Sequence, residues 1–256
     1  MNRLLFLGLP LLAIACQAQK SEPNNTAQDL PATTDVEAYA QQFTDDGKPS
    51  QFTGTPGNGT LINGKLMPFS GPNFQYFDAL SYCNGRAFVH SAIRDATLAA
   101  YKQLHSEVPG RMFGLMECAH QHGGKLRPHR THQNGLSIDF MMPLVKDGEP
   151  YYKLDKTGLG HYLLDFDNAG RFHRDKSIGI DFDLVARHIL ALDAAARAQG
   201  FKVSKVIIKI ELKDELFATK HGKLLKNSSI YVVQSLTPKV NALHDEHFHI
   251  DFAPLD

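Results

Sequence analysis

The 256-residue chain has no tryptophan, only three cysteines and no net charge, its 27 basic side chains being matched by 27 acidic ones. A neutral balance argues against a nucleic-acid partner, which usually needs a basic surface to displace counterions from phosphates. No internal repeat is visible, and 43% hydrophobic and 21% charged residues exclude the collagenous, coiled-coil and wholly disordered classes. The length allows one large domain or two small ones. The N-terminal apolar run, Leu4 to Ala15, would rise about 18 Å as a helix, too short for a bilayer core of about 30 Å. Histidine, by contrast, is abundant, with 13 in the chain. It is the commonest metal ligand and the usual general acid–base residue, so its distribution matters.

Arg3 followed by the Leu4–Ala15 run reads as a secretory signal peptide over residues 1–15. The run ends Ala13-Ile14-Ala15-Cys16, which resembles a bacterial lipobox and makes Cys16 a candidate lipid anchor; ordinary signal-peptidase cleavage suits the same stretch. Either way the expected destination is the periplasm or cell envelope, the first as a lipoprotein with the outer membrane as a candidate site. Residues 17–52 are polar, rich in Asn, Gln, Thr, Asp and Pro, and read as a disordered tether. A tether of about 35 residues reaches roughly 30–35 Å root-mean-square. Residues 53–256 form the remaining domain. Its two cysteines, Cys83 and Cys118, are either a disulfide or a pair of buried thiols.

Breakers crowd residues 53–80, which predicts an irregular wrap with short strands. Ser91 can cap a helix with Ile93, Ala96, Ala100 and Leu104 on one face, stopped by Pro109-Gly110. Asp183 opens a second, with Val185, Ile189, Leu192 and Ala196, closed by Gly200. Strands are expected at Arg111–Cys118, Leu136–Met142, Phe201–Ile210, Ile230–Val233 and His247–Phe252. Helices and strands do not alternate regularly, so the class is α+β with a mainly antiparallel central sheet, flanking helices and long loops.

Seven histidines fall in two windows: His120, His122, His129 and His132, then His244, His247 and His249. On a strand, His247 and His249 share a face while Phe248 and Ile250 take the other. His132 and Asp139 are seven apart, which would oppose them on a regular strand; Gly135 between them permits a turn that brings them round. Two imidazoles and a carboxylate would give zinc three protein ligands and leave a fourth position open, the composition of catalytic rather than structural zinc. His188 lies on the apolar face of its helix and reads as a hydrogen-bonded boundary residue. His120 and His122 are candidate cleft residues. His90, His105, His161, His173 and His221 show no partner pattern.

His132-x6-Asp139 followed by His247-x-His249 resembles the zinc signature of the LAS-type metallopeptidases. The closer resemblance is to the penicillin-insensitive murein endopeptidase family, through His129-Arg-Thr-His132-Gln133-Asn-Gly135, His244-Asp-Glu-His247-Phe248-His249 and the Gly123-Gly124 pair. It runs from about Gly54 to the C-terminus. The chain departs from the family at Asn134 and Ser137, where Ser and Asp are usual, and at Ile250-Asp251, where Val-Arg is usual. A peripheral Asp-x-x-His zinc pair has no counterpart.

That resemblance implies one zinc ion held by His132, Asp139 and His249. It implies catalytic roles for His247, polarising water or stabilising an oxyanion, and for His129 and His244, which either ligate or orient. The chain has no zincin-like Glu, so a histidine must serve as base. The implied activity is hydrolysis of peptide bonds in peptidoglycan, with a D-amino-acid cross-link as the leading substrate. The alternatives are carboxypeptidase trimming of stem peptides and a non-catalytic zinc-containing wall-binding lipoprotein.

Overall fold

Two apolar helix faces and one set of alternating strands organise the domain in the computed structural model, which describes residues 35–255. The expected signal peptide, Cys16 and the first half of the tether lie outside the described residues. Helix α1 (Ser91–Glu107) buries Ile93, Ala96, Ala100 and Leu104, joined by Thr97 and Tyr101. Its cap is one residue earlier than expected. The His90 ring accepts from the Ala92 N–H, while Ser91 exchanges two hydrogen bonds with Ser50. Helix α2 (Phe182–Ala198) buries Val185, Ile189, Leu192 and Ala196 and is capped by Asp181, whose carboxylate accepts from the Leu184 N–H. Asp183, the expected opener, instead accepts from the backbone and ring of His221.

A six-stranded sheet carries the core. Its strands are β1 (Ser70–Gly71), β2 (Phe74–Tyr76), β3 (Phe113–Leu115), β4 (Ser137–Met141), β5 (Phe201–Ile207) and β6 (His247–Pro254), in the spatial order β5-β6-β4-β3-β2-β1. All pairings are antiparallel except β2 with β3, as the α+β class requires. Phe248, Ile250 and Phe252 of β6 are buried, each worth about 1.5–3 kcal/mol of apolar burial. Residues 230–233 form no strand; Val232 makes a single parallel bridge to Val206.

The helices meet the sheet at His188. Its ring packs 5.3 Å from Tyr101 of α1, 4.9 Å from Phe113, 4.8 Å from Phe140 and 5.6 Å from Phe248. His188 is therefore a core residue, not a boundary one, and among the described residues neither ring nitrogen has a hydrogen-bond partner. Burial lowers its pKa to about 3.

The packed domain starts before the expected boundary at residue 53. A short helix, Val36–Ala40, places Tyr39 in the core against Phe43 and Tyr82, and Ser50 is buried. The polar average of this stretch hid three anchoring side chains. Residues 53–80 do form short elements, led by the hairpin of Gln51–Thr55 with Asn58–Ile62. Cys83 and Cys118 are both free and buried, so the thiol alternative holds.

Candidate active site

Strand register brings the two sequence windows together. β6 runs antiparallel to β4 with His249 directly opposite Asp139, His247 opposite Met141 and Asp251 opposite Ser137. Directly opposed side chains stand about 5 Å apart at Cβ. His249 Nδ1 accordingly lies 2.8 Å from Asp139 Oδ1. Phe140 and Phe248 alternate to the opposite face and stack at 5.4 Å. One face of these two strands is therefore core and the other carries the polar groups.

His132 arrives by a turn rather than along a strand. It has a φ of +66°, a left-handed conformation that a side chain rarely adopts and one that costs about 1–3 kcal/mol. Gly135, at φ +74°, completes the turn. A Cβ there would stand 2.9 Å from the His90 nitrogen and 2.7 Å from Leu61, so only glycine fits. Gly123, also left-handed, lets the 58–62 strand close against this loop; a Cβ would meet the Gln133 carbonyl at 2.3 Å.

The result is a cleft of about 720 Å³ lined by His129, Asp139, Tyr162, His244, His247 and His249, among others. His132 is fully buried beside it, its Nε2 3.2 Å from Asp139 Oδ1. His120 and His122 do not line the cleft.

The donor set can be tested for a metal from its own hydrogen bonds. His132 Nδ1 points at the Cys118 carbonyl, which accepts only, so the ring proton sits on Nδ1 and Nε2 is a bare lone pair. Among the described residues, that Nε2 and Asp139 Oδ2 are both buried without a hydrogen-bond partner. His249 repeats the pattern, with Nε2 2.7 Å from Asp251 and Nδ1 toward Asp139. Burial opposes charge on His249, but Asp251 and Asp139 outweigh it and raise the pKa to about 10. Buried Asp139 is nonetheless held well below the usual carboxylate range by His132 and His249. Imidazole nitrogens and a carboxylate facing each other with too few protons fit a divalent cation.

His129 stands beside the expected set of His132, Asp139 and His249. Among the described residues, His129, His132 and Asp139 have ligand atoms within 4.8 Å of one another. His129 Nδ1 lies 3.5 Å from Asp139 Oδ2. Its Nε2 is hydrogen-bonded to Glu117, which also takes Arg86 Nη2 at 2.7 Å and the Ser81 hydroxyl at 3.1 Å. Burial pushes the Glu117 carboxyl up, yet His129 and Arg86 bring it down to about 2.

Glu117, Glu246, Asp251 and Tyr162 went unrecognised as site residues in the sequence. Glu117 is the one charge in the apolar run Phe113–Ala119, and Asp251 repeats the i, i+2 spacing of His247 and His249; both signals were readable. Glu246 bonds His247 Nδ1 at 2.6 Å, and burial raises its pKa to about 8. Burial lowers His247 to about 4 and His244 to about 3, the latter with its Nδ1 2.6 Å from the Val240 carbonyl. His161 is also buried, its ring nitrogens at the carbonyls of Glu246 and Leu154. Tyr162 comes from the irregular Leu154–Leu163 segment and had no sequence signal.

An α+β domain with a histidine–carboxylate cluster at the floor of a cleft has the form of a hydrolase. The chain belongs to the penicillin-insensitive murein endopeptidase family, whose model matches residues 52–254. Membership makes it a peptidase of the murein-acting class. No curated protein is similar enough to match it. Among the described residues no helix is long and apolar enough to cross a membrane.

Proposed function

We propose that the protein is a zinc-dependent endopeptidase that hydrolyses D-amino-acid cross-links in bacterial peptidoglycan, with His132, Asp139 and His249 as metal ligands. The observation that carries this reading is the pair of buried, unpartnered atoms, His132 Nε2 and Asp139 Oδ2, beside His249 Nδ1. Zinc held there would act as a Lewis acid toward the scissile carbonyl and make water a better nucleophile at neutral pH. His249 is preferred to His129 as third ligand because it is buried in register opposite Asp139, whereas His129 is only partly buried and is held by Glu117.

The neighbouring side chains divide acid and base work. Burial favours the neutral form of Glu246, and in that form it donates to His247 Nδ1. The imidazole proton of His247 then sits on Nε2 and can donate to an oxygen that gains charge. His129 is in the opposite state. Ionised Glu117 takes its Nε2–H, leaving Nδ1 as an acceptor for a proton released in the cleft. Two imidazoles with opposed tautomers suit general acid–base catalysis. His244, neutral beside His247 with ring centroids 4.8 Å apart, orients it.

Digesting cross-linked muropeptides with purified protein should release monomers, and a chelator should stop it. Intact cross-links alongside trimmed monomeric stems would favour the carboxypeptidase reading, and no cleavage at all with zinc bound would leave the wall-binding one. Metal analysis checks the ligand set. His132→Ala, Asp139→Ala and His249→Ala should lower zinc content, while His129→Ala keeps it; loss in His129→Ala with retention in His249→Ala would reverse the assignment. Export through residues 1–15, a lipid on Cys16 and the tether belong to the same proposal. Mass spectrometry of the N-terminal peptide from envelope fractions tests them.

A further inference from the structure

Tyr162 sits on the cleft wall between the two histidines assigned opposite proton roles. Its ring centroid lies 5.5 Å from that of His247 and 6.3 Å from that of His129, and Phe77 backs it at 5.7 Å. The ring is half-buried, but its hydroxyl is shielded from water and has no hydrogen-bond partner among the described residues. Buried tyrosine hydroxyls normally find a partner, and leaving one unmade forfeits the bond that water supplied. An orphan of this kind calls for an explanation, and its position supplies one. The phenol stays protonated, because burial and the charges of Asp139 and Glu117 hold its pKa well above the ordinary value. It is a donor with no acceptor among the described residues, on the wall of the cleft beside both imidazoles.

We propose that Tyr162 is a catalytic residue whose hydroxyl donates a hydrogen bond to the scissile carbonyl oxygen as that oxygen becomes the tetrahedral oxyanion. The inference rests on the peptidase reading of the cleft. No bond to Tyr162 forms or breaks. Water supplies its oxygen to the carbonyl carbon, the amide C–N bond breaks, a water proton ends on the departing amine, and the phenol keeps its own. A donor that meets charge only in the transition state raises kcat without tightening substrate binding.

Tyr162→Phe separates this role from a structural one, because it removes only the oxygen and keeps the ring packed on Phe77, His129 and His247. In the zinc-loaded full-length protein acting on a cross-linked muropeptide, kcat should fall roughly 100-fold, the scale set by loss of one oxyanion donor. KM and zinc content should be unchanged. The melting temperature should be unchanged or higher, since an unsatisfied buried hydroxyl has been deleted. Wild-type kcat in the variant overturns the proposal, and so does a fall of several degrees in melting temperature, which would mark a structural partner. If the unmodified protein cleaves no muropeptide, the murein reading fails by itself. A phosphinic pseudo-peptide carrying a tetrahedral anionic centre then decides the role of Tyr162. Binding about tenfold weaker in Tyr162→Phe, as expected for one charge-assisted hydrogen bond, supports it, and equal affinity overturns it.

Discussion

His249 Nε2 lies 2.7 Å from a carboxylate oxygen of Asp251, two residues along the same strand. Asp251 is buried, accepts from the Ser137 hydroxyl at 2.6 Å and pairs with Lys205. Ser137 stands opposite it in register, so Asp251 and Ser137 form one local arrangement behind His249.

A carboxylate behind a ligating histidine fixes the tautomer and raises the basicity of the ligating nitrogen. Asp251→Asn should therefore weaken zinc binding by about 10–100-fold, the usual effect of losing such an outer partner. Competition against a chelating dye measures it, and the circular dichroism spectrum should remain that of the folded protein. Unchanged affinity would remove Asp251 from the site.

His247→Ala should lower turnover by about 10²–10⁴-fold, the range for a general acid–base group, with zinc content intact. Glu246→Ala should follow it in the same direction, because it frees the His247 ring and its tautomer. Steady-state kinetics with parallel metal analysis distinguishes loss of chemistry from loss of the ion. A binding protein without turnover would be indifferent to both changes.

His188 offers a stability test away from the cleft. Both its nitrogens are buried without partners, a penalty of about 1–3 kcal/mol. His188→Leu should raise the melting temperature, at about 2–4 °C per kcal/mol for a domain of this size. The pH dependence has a definite sign. The folded pKa, about 3, lies below the ordinary 6.5. The unfolded chain thus binds the extra proton, and this stability is present above pH 6.5 and lost as pH falls toward 3. His161 and His244 are lowered likewise. The substitution should therefore remove one proton's contribution to the acid slope, about 1.4 kcal/mol per pH unit. Melting curves between pH 4 and 8 would expose an unchanged slope.

Burial raises the pKa of both Cys83 and Cys118. A thiol reagent should leave the two unreacted in the folded domain and label both after denaturation. A reductant should not move the melting temperature. Protection of both after unfolding without reductant would reveal a bridge.

The parts legible in the sequence were those set by strict period. The 3,4,4 spacing of Ile93, Ala96, Ala100 and Leu104 gave a helix face, and the two-residue alternation of His247 and His249 gave a strand face. Cross-strand register was not legible, because nothing in either window says that His249 stands opposite Asp139. Tyr39 and Phe43 were lost in a polar stretch for a related reason: composition averages over residues, whereas packing depends on individual ones. Tyr162 packs on neighbours distant in sequence, and no local pattern announces such contacts. His188 misled because an imidazole on an apolar face is usually placed where it can find a partner.

Asp139 and His249 lie on inner strands of the sheet, each hydrogen-bonded on both sides, while Tyr162 belongs to an irregular surface segment bearing exposed Leu159 and Leu163. Opening the floor means breaking two ladders and baring Phe140 and Phe248, so the backbone amides there should exchange with solvent only when the whole domain unfolds. The wall needs far less to move. Asp139 and His249 therefore sit on a static base, and Tyr162 lies on a segment that can rearrange above it.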